Sequence, residues 1–161
     1  MDFESKIISR QIGDILYASG LTIGTAESCT GGRISEAIIA IPGSSDYYKG
    51  GIVAYTDEVK VKLLGVSSEV LEEQTAVSEE VAREMVLGTL NAIGVDFAIA
   101  STGYAGPGGG TKEAPVGTIW LAYGNREEVR TFKLTEDFGR DINLAIATNK
   151  AIRLMLDFLK D

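Results

Sequence analysis

A strand-to-helix turn at Thr25–Gly32 (TAESCTGG) is the feature that most constrains the fold of this chain. Leu21–Thr25 has the pattern of a short strand, and Arg33–Ala40 has the pattern of a helix. Gly31 and Gly32 stand where the helix begins, and each costs a helix about 0.5–1 kcal/mol relative to alanine. We therefore expect a ligand or another part of the backbone to come close there. The free N–H groups of a helix N-terminus also favour anions and developing negative charge.

The rest of the chain alternates between helix and strand patterns. We predict helices over residues 3–19, from a cap at Thr56 or Asp57 to Leu64, from a cap at Ser78 through Leu90, and from about Asp141 to Leu159, with strands over Tyr48–Tyr55, Asp96–Ser101, Val116–Tyr123 and Glu128–Leu134. The last two strands are close enough to form a hairpin, which favours a mixed sheet over a purely parallel one. The sequence thus predicts an α/β protein: one domain over residues 1–161, with three α/β/α layers and a mixed β-sheet.

The composition excludes several classes of function. The net charge of −8 argues against nucleic acid or an anionic membrane as the main partner. The chain has no histidine, which excludes Ser-His-Asp and Cys-His centres and histidine-ligated zinc. A single cysteine, Cys29, cannot form an internal disulfide, and the N-terminal residues lack a signal-peptide core. We therefore expect a cytoplasmic protein that needs no metal or other cofactor.

The position of Ser28 in the sequence allows two interpretations, a helix cap or a nucleophile. As a residue preceding a helix it is more often a cap than a nucleophile. If it is a nucleophile, its base must be a lysine, a carboxylate or a tyrosine, because histidine is absent. Lys60, which follows Tyr55 and one turn of the next predicted helix, is a candidate base. With Asp57 as the cap it would take the third helical position, where the helix dipole lowers its proton affinity. Otherwise it is a solvated lysine like Lys62.

A second glycine-rich segment, Gly103–Gly110, follows a predicted buried strand. It does not fit a P-loop, because Thr111 separates Gly110 from Lys112 and a strand rather than a helix follows. It also lacks the GxGxxG spacing of a dinucleotide-binding turn. The segment is either a flexible loop or the wall of a ligand site at the carboxyl edge of the sheet.

Arg140 begins the last predicted helix within the sequence Phe138-Gly139-Arg140-Asp141. A lone arginine in this setting most often pairs with a neighbouring carboxylate, here Asp137 or Asp141. Its planar guanidinium could instead hold a carboxylate or a phosphate through two parallel hydrogen bonds.

Three motifs together resemble the CinA C-terminal-domain family. They are TAESCTGG, GIVAYT followed by Lys60, and TGYAGPGGGT followed by PVGT, and the resemblance covers nearly the whole chain in the stand-alone form of that family. Characterised members are nicotinamide mononucleotide (NMN) deamidases with an α/β/α layered fold. The resemblance therefore implies hydrolysis of the NMN carboxamide to nicotinate mononucleotide and ammonia.

The resemblance also assigns roles to particular residues. The family's nucleophile falls on Ser28, its lysine on Lys60, its supporting tyrosine and threonine on Tyr55 and Thr102, and its phosphate-side arginine on Arg140. We expect Thr102 to stabilise the oxyanion together with backbone N–H groups of either of two segments. The candidate binding residues in these segments are Thr30, Gly31 and Gly32, and Gly106, Gly108 and Gly109.

The chain departs from the family around Arg140, where Gly-Asp-Arg is usual and a further arginine often occupies the position of Leu144. This departure leaves open a nucleotide-binding or regulatory module with weak or no turnover, and more remotely a structural domain used for oligomerisation. Under the main interpretation the partner is a small-molecule nucleotide, with neither nucleic acid nor membrane, and we expect a homo-oligomer.

Overall fold

The computed structural model describes residues 2–161 as helices and strands in alternation. Their bounds are α1 Phe3–Ser19, β1 Ile23–Glu27, α2 Arg33–Ile39, β2 Tyr48–Val53, α3 Asp57–Leu64, α4 Ser68–Gln74, α5 Glu79–Ile93, β3 Phe97–Gly103, β4 Ile119–Gly124, β5 Val129–Leu134 and α6 Arg140–Lys160, with a 3-10 turn at Ser44–Asp46.

In the described part of the chain the strands form a five-stranded sheet in the order β2-β1-β3-β4-β5. Strand β1 pairs in parallel with β2 and with β3, whereas β4 runs antiparallel to both β3 and β5. The predicted mixed sheet is therefore confirmed. Because β1, β2 and β3 run the same way, their carboxyl ends meet at one edge, where α/β proteins place their ligand sites.

Helices cover both faces of the sheet, which confirms the three-layer architecture. Helices α1, α2 and α6 pack on one face over large side chains such as Ile99 and Leu121. Helix α5 packs on the other face, over alanines that include Ala98, Ala100 and Ala122, and α3 and α4 pack against α5. The two sets alternate along β3 and β4 because successive side chains of a strand point to opposite faces. The small alanines allow α5 to pack close to the middle of the sheet.

Several boundaries differ from the sequence-based expectation. Strand β1 continues to Glu27, so Ser28 follows the strand directly, and α2 is capped by Gly32 without a side-chain hydrogen bond. Ser28 is therefore not a helix cap. Residues 116–118, predicted as strand, precede β4 and bond to the glycine-rich loop, with the N–H of Gly117 donating to the carbonyl of Tyr104. Helix α4 was not expected from the sequence.

The caps of the central helices follow the sequence more closely. Ser78 caps α5 and accepts a hydrogen bond from the N–H of Val81, as predicted. Thr56 rather than Asp57 caps α3, because its hydroxyl accepts from the N–H of Val59. Lys60 consequently occupies the fourth helical position instead of the third.

Thr75, which ends α4, has a strained backbone. Its φ of 66° and ψ of 170° lie in a region that only glycine adopts easily, and it is the one non-glycine residue with positive φ in the described chain. The hydroxyl of Ser78 donates to its carbonyl, and the hydroxyl of Thr102 donates to the carbonyl of Ala76 beside it. The first bond closes the α4–α5 connection on itself, and the second joins that connection to β3.

We predict that Thr75→Gly increases the free energy of unfolding by about 1 kcal/mol. Relief of about 1–3 kcal/mol of backbone strain exceeds the entropy that glycine adds to the unfolded chain. Urea unfolding of the purified variants measures this effect. Thr75→Ala is the matched control, because it removes the same side chain but keeps Cβ and the strain. A stabilisation of Thr75→Ala equal to that of Thr75→Gly would contradict the interpretation.

Candidate active site

A cavity of about 360 Å³ opens at the carboxyl ends of β1, β2 and β3. It is lined by Ser28, Cys29, Tyr55, Asp57, Lys60, Thr75, Ala76, Val77, Thr102, Gly103, Tyr104, Ala105, Gly106, Gly108 and Arg140. The structure thus brings together seven of the residues selected from the sequence, from three strand ends, helix α3, the glycine-rich loop and the start of α6.

Ser28 and Lys60 are hydrogen-bonded at the wall of this cavity. The Lys60 Nζ donates to Ser28 Oγ over 2.9 Å and to the carbonyl oxygen of Ala54 over 2.8 Å. Lys60 is 1% exposed, so it is not the solvated surface lysine of the alternative interpretation. When Lys60 is a neutral amine, one N–H can keep the bond to Ala54 while the lone pair accepts the Ser28 hydroxyl proton. The arrangement therefore suits proton transfer from Ser28 to Lys60.

Burial lowers the pKa of the Lys60 ammonium below its usual value of 10.5, because the charged form loses its hydration. The nearby charge of Asp57 acts in the opposite direction and raises that pKa. Lys60 forms no salt bridge with a carboxylate among residues 2–161. The neutral amine, the form a general base requires, is thus more accessible than in an exposed lysine.

Cys29 follows Ser28 but has a different chemical character. Its side chain is buried, and burial raises the pKa of its thiol to about 11. The thiol remains protonated at neutral pH and is therefore a poor nucleophile. Of the two adjacent candidates, only Ser28 has a base within hydrogen-bonding distance.

The turn that carries Ser28 is held by the buried carboxylate of Glu27. One oxygen accepts hydrogen bonds from the Thr30 hydroxyl at 2.6 Å and the Ile34 N–H at 2.8 Å. The other accepts from the N–H and the hydroxyl of Ser35, at 2.9 and 2.7 Å. Glu27 therefore supplies the side-chain cap that Gly32 cannot give α2.

Hydroxyl groups extend this network to β3. Because a carboxylate only accepts, the Thr30 hydroxyl donates its single proton to Glu27. The bond of 2.6 Å between Thr30 Oγ1 and Ser101 Oγ must then be donated by Ser101. The backbone N–H of Ser28 also donates to the carbonyl of Ser101, at 3.0 Å. The position of the candidate nucleophile is thus fixed by both neighbouring elements.

Tyr55 and Thr102 both line the cavity but in different ways. Tyr55 is 59% exposed, at the mouth of the cavity, and its hydroxyl lies 3.5 Å from a guanidinium nitrogen of Arg140. Thr102 is buried, and its hydroxyl donates to the carbonyl of Ala76 over 2.8 Å. Thr102 therefore positions the α4–α5 connection, and its hydroxyl proton is already engaged.

Arg140 spans from α6 to the glycine-rich loop. Its Nη1 donates to the carbonyl of Gly106 at 2.7 Å, and it pairs with neither Asp137 nor Asp141 within the described residues. The Asn143 side chain adds a second connection by donating to the carbonyl of Ala105 at 3.0 Å. The guanidinium has five N–H groups, and those not used for Gly106 and Tyr55 can donate to an anion.

The remaining predicted binding residues divide into two groups. Gly106 and Gly108 line the cavity, as expected for the glycine-rich loop. Four others are not part of its wall: Thr30, Gly31, Gly32 and Gly109. The N–H of Gly31 donates to the carbonyl of Ser28, and the hydroxyl of Thr30 donates to Glu27. This part of the turn therefore holds the backbone of Ser28 in place. Glu27, Asp57 and the Ala54 carbonyl, by contrast, were not selected from the sequence.

Within residues 2–161 no group of three or more Cys, Asp or Glu side chains lies close enough to hold a metal ion. No helix of the described chain has the length and apolar character needed to cross a membrane.

Comparison with known proteins gives the family. Residues 5–159 match the CinA C-terminal domain, and the chain belongs to this family. The nicotinamide-nucleotide amidohydrolase PncC of Escherichia coli K12 is 46% identical over 122 residues, which are 76% of this chain and 74% of that protein. A CinA-like protein of Leptospira borgpetersenii is 43% identical over 95% of this chain, but the chain spans only 37% of its length.

Solved structures share the whole fold. The competence/damage inducible protein CihA of Agrobacterium tumefaciens superposes with a TM-score of 0.96 at 36% identity, over 100% of this chain and 98% of that one. A CinA superfamily protein of Escherichia coli gives a TM-score of 0.92, also at 36% identity, over 97% and 91% of the two chains.

We predict that the buried ammonium of Lys60 makes stability depend on pH. The folded pKa is below the unfolded one, so between the two values the folded chain binds fewer protons and its stability rises with pH. Relative to Lys60→Met, the free energy of unfolding of the parent protein should rise by up to about 1.4 kcal/mol per pH unit within that window, which ends near pH 10.5.

Urea unfolding of both proteins from pH 7 to pH 10 measures this difference. Lys62→Met is the control, because Lys62 is exposed on the same helix. Its stability should stay parallel to that of the parent protein. Parallel curves for Lys60→Met as well would contradict the lowered pKa.

Proposed function

We propose that this chain is an amidohydrolase that converts NMN to nicotinate mononucleotide and ammonia through Ser28 and Lys60. The observation that carries the proposal is the bond of 2.9 Å between Lys60 Nζ and Ser28 Oγ in a cavity. Similarity to a nicotinamide-nucleotide amidohydrolase supports the choice of substrate. The cavity also offers Arg140, a cation suited to a phosphate.

In the first half of the reaction Ser28 Oγ attacks the carboxamide carbon while the neutral Lys60 amine accepts the hydroxyl proton. A C–O bond forms and the carbonyl oxygen becomes an oxyanion. The N–H of Cys29 is a candidate donor to that oxygen, because it follows the nucleophile, lines the cavity and has no backbone acceptor in the described chain. Lys60 then protonates the nitrogen, the C–N bond breaks, and ammonia leaves an ester on Ser28.

In the second half a water molecule attacks the ester carbon and Lys60 accepts its proton. The bond between the carbon and Ser28 Oγ breaks, and the proton returns from Lys60 to Ser28. The carboxylic acid so formed loses its remaining proton to solvent and leaves as part of nicotinate mononucleotide, and both side chains regain their starting states. Lys60 thus serves as base and acid in turn, which its lowered pKa favours near neutral pH.

Two further properties belong to the same proposal. A cytoplasmic location agrees with the free thiol of Cys29, the only cysteine of the sequence. A homo-oligomer agrees with exposed apolar side chains on α1 and α6, such as Phe3, Ile7 and Ile142.

Ser28→Ala is expected to lower ammonia release from NMN at least a thousandfold, because removing a nucleophile removes the covalent pathway. NMN affinity should change by less than about tenfold, since the hydroxyl acts chiefly in the transition state. Cys29→Ala is the control and should keep most of the activity. An active Ser28→Ala protein together with an inactive Cys29→Ala protein would assign the nucleophile to the thiol. Thermal stabilisation of the parent protein by NMN without ammonia release would instead indicate a binding module.

Arg140→Ala should weaken turnover of NMN by about 10- to 150-fold, the effect of one charge-assisted hydrogen bond to a phosphate. Turnover of the unphosphorylated riboside should barely change. Steady-state kinetics of both substrates on both proteins give the coupling between residue and phosphate. Arg153→Ala, a surface arginine further along α6, controls for loss of charge. Equal losses for both substrates would show that Arg140 instead holds the glycine-rich loop in place.

A further inference from the structure

Asp57 is the one carboxylate among the described residues that line the cavity. It occupies the first position of α3, directly after the capping residue Thr56. Lys60 lies three positions later, so both side chains are on the same face of the helix, one turn apart. A negative charge is thus placed in the cavity beside the base that activates Ser28.

A helix-stabilising role does not account for this placement. Carboxylates in the first turn of a helix are favourable, and α3 has two, Asp57 and Glu58. Only Asp57 lines the cavity. Its carboxylate forms no salt bridge within residues 2–161, although Lys60 and Arg140 line the same cavity. The charge is therefore available to a ligand.

We propose that Asp57 is a specificity-determining residue that recognises the positive charge of an N-substituted pyridinium ring, with the exposed ring of Tyr55 as a platform beside it. This inference rests on the proposed function. The carboxamide is attached to the same small ring that contains the cationic nitrogen. A substrate whose amide carbon reaches Ser28 therefore brings its cation into the same cavity. An aromatic face and a carboxylate are the two groups that attract such a cation.

The same placement links substrate charge to the state of Lys60. Burial lowers the pKa of Lys60 and Asp57 raises it, while the Cys29 thiol is neutral because its own pKa is about 11. Tyr55 and Arg140 are the other ionisable side chains that face this part of the cavity, together with Tyr104. A cationic ring beside Asp57 offsets its charge and so favours loss of the Lys60 proton. Lys60 therefore reaches its neutral, basic form more readily when a pyridinium is bound.

The test compares two ligands on three proteins. NMN has a cationic ring, and reduced NMN keeps the carboxamide and phosphate but has a neutral dihydropyridine ring. Measured in the Ser28→Ala background, which binds NMN without hydrolysing it, Asp57→Asn should weaken calorimetric binding of NMN about tenfold or more, as for loss of a charged partner, and leave binding of reduced NMN unchanged. Glu58→Gln removes the neighbouring first-turn charge and should match the parent protein for both ligands.

A second readout separates recognition from a structural effect. In Asp57→Asn the ionisation of Lys60 in the pH profile of kcat/KM for NMN should move to lower pH, while KM rises. Equal weakening of both ligands, an equal effect of Glu58→Gln, or an unmoved pH profile would overturn the proposal. If the parent protein releases no ammonia from NMN, the proposed function fails. The comparison of the two ligands by calorimetry then still decides whether Asp57 recognises the positive charge of the ring.

Discussion

The buried carboxylate of Glu27 is the constraint on which the rest of the site depends. Glu27 ends β1, the strand that pairs with both β2 and β3, and its oxygens accept four hydrogen bonds from the turn and from α2. A charge that is 1% exposed is tolerated only when its lone pairs are filled, and here the helix N-terminus adds a favourable dipole. The turn has little freedom as a result, and Ser28 projects from it in one direction.

A second buried charge, Lys60, is arranged in the opposite manner. Its partners are a hydroxyl and a carbonyl, and it forms no salt bridge with Glu27 in the described chain. A direct ion pair would stabilise the ammonium and hold its proton. Because Glu27 and Lys60 belong to separate hydrogen-bond networks, Glu27 can fix the geometry of the turn while Lys60 stays able to exchange a proton. This separation costs stability at neutral pH, as is common where a site requires an unfavourably placed charge.

The sequence predicted the elements whose pattern is local. The apolar run of β3 and the caps, at Ser78 and at Thr56 or Asp57, are properties of short segments. The mixed sheet was predicted from the hairpin that joins β4 to β5. Helix α4 was missed because it is seven residues long and buries only Leu71, which leaves almost no periodicity to detect. Val116–Thr118 has strand-like composition, yet its backbone bonds to the glycine-rich loop.

The site was predictable where it depends on side-chain type and not where it depends on the backbone. Ser28, Lys60, Tyr55 and Arg140 have distinctive chemistry in recognisable motifs, and the structure brings them to one cavity. The carbonyls of Ala54 and Gly106 are indistinguishable in sequence from any others, although they hold Lys60 and Arg140. Glu27 was overlooked for a related reason: its donors are amide groups of a helix that must first be folded against it.

The pairing of the first and last helices has a consequence for biosynthesis. Helices α1 and α6 pack against one another on the same face of the sheet, and Arg140 and Asn143 at the start of α6 hold the glycine-rich loop. During translation the strands β1 to β5 leave the ribosome before α6. Until α6 emerges, α1 lacks the helix that it packs against, and the cavity lacks Arg140. The residues that hold the glycine-rich loop, Arg140 and Asn143, emerge only with the first turn of α6. Formation of the complete cavity therefore depends on the synthesis and packing of α6.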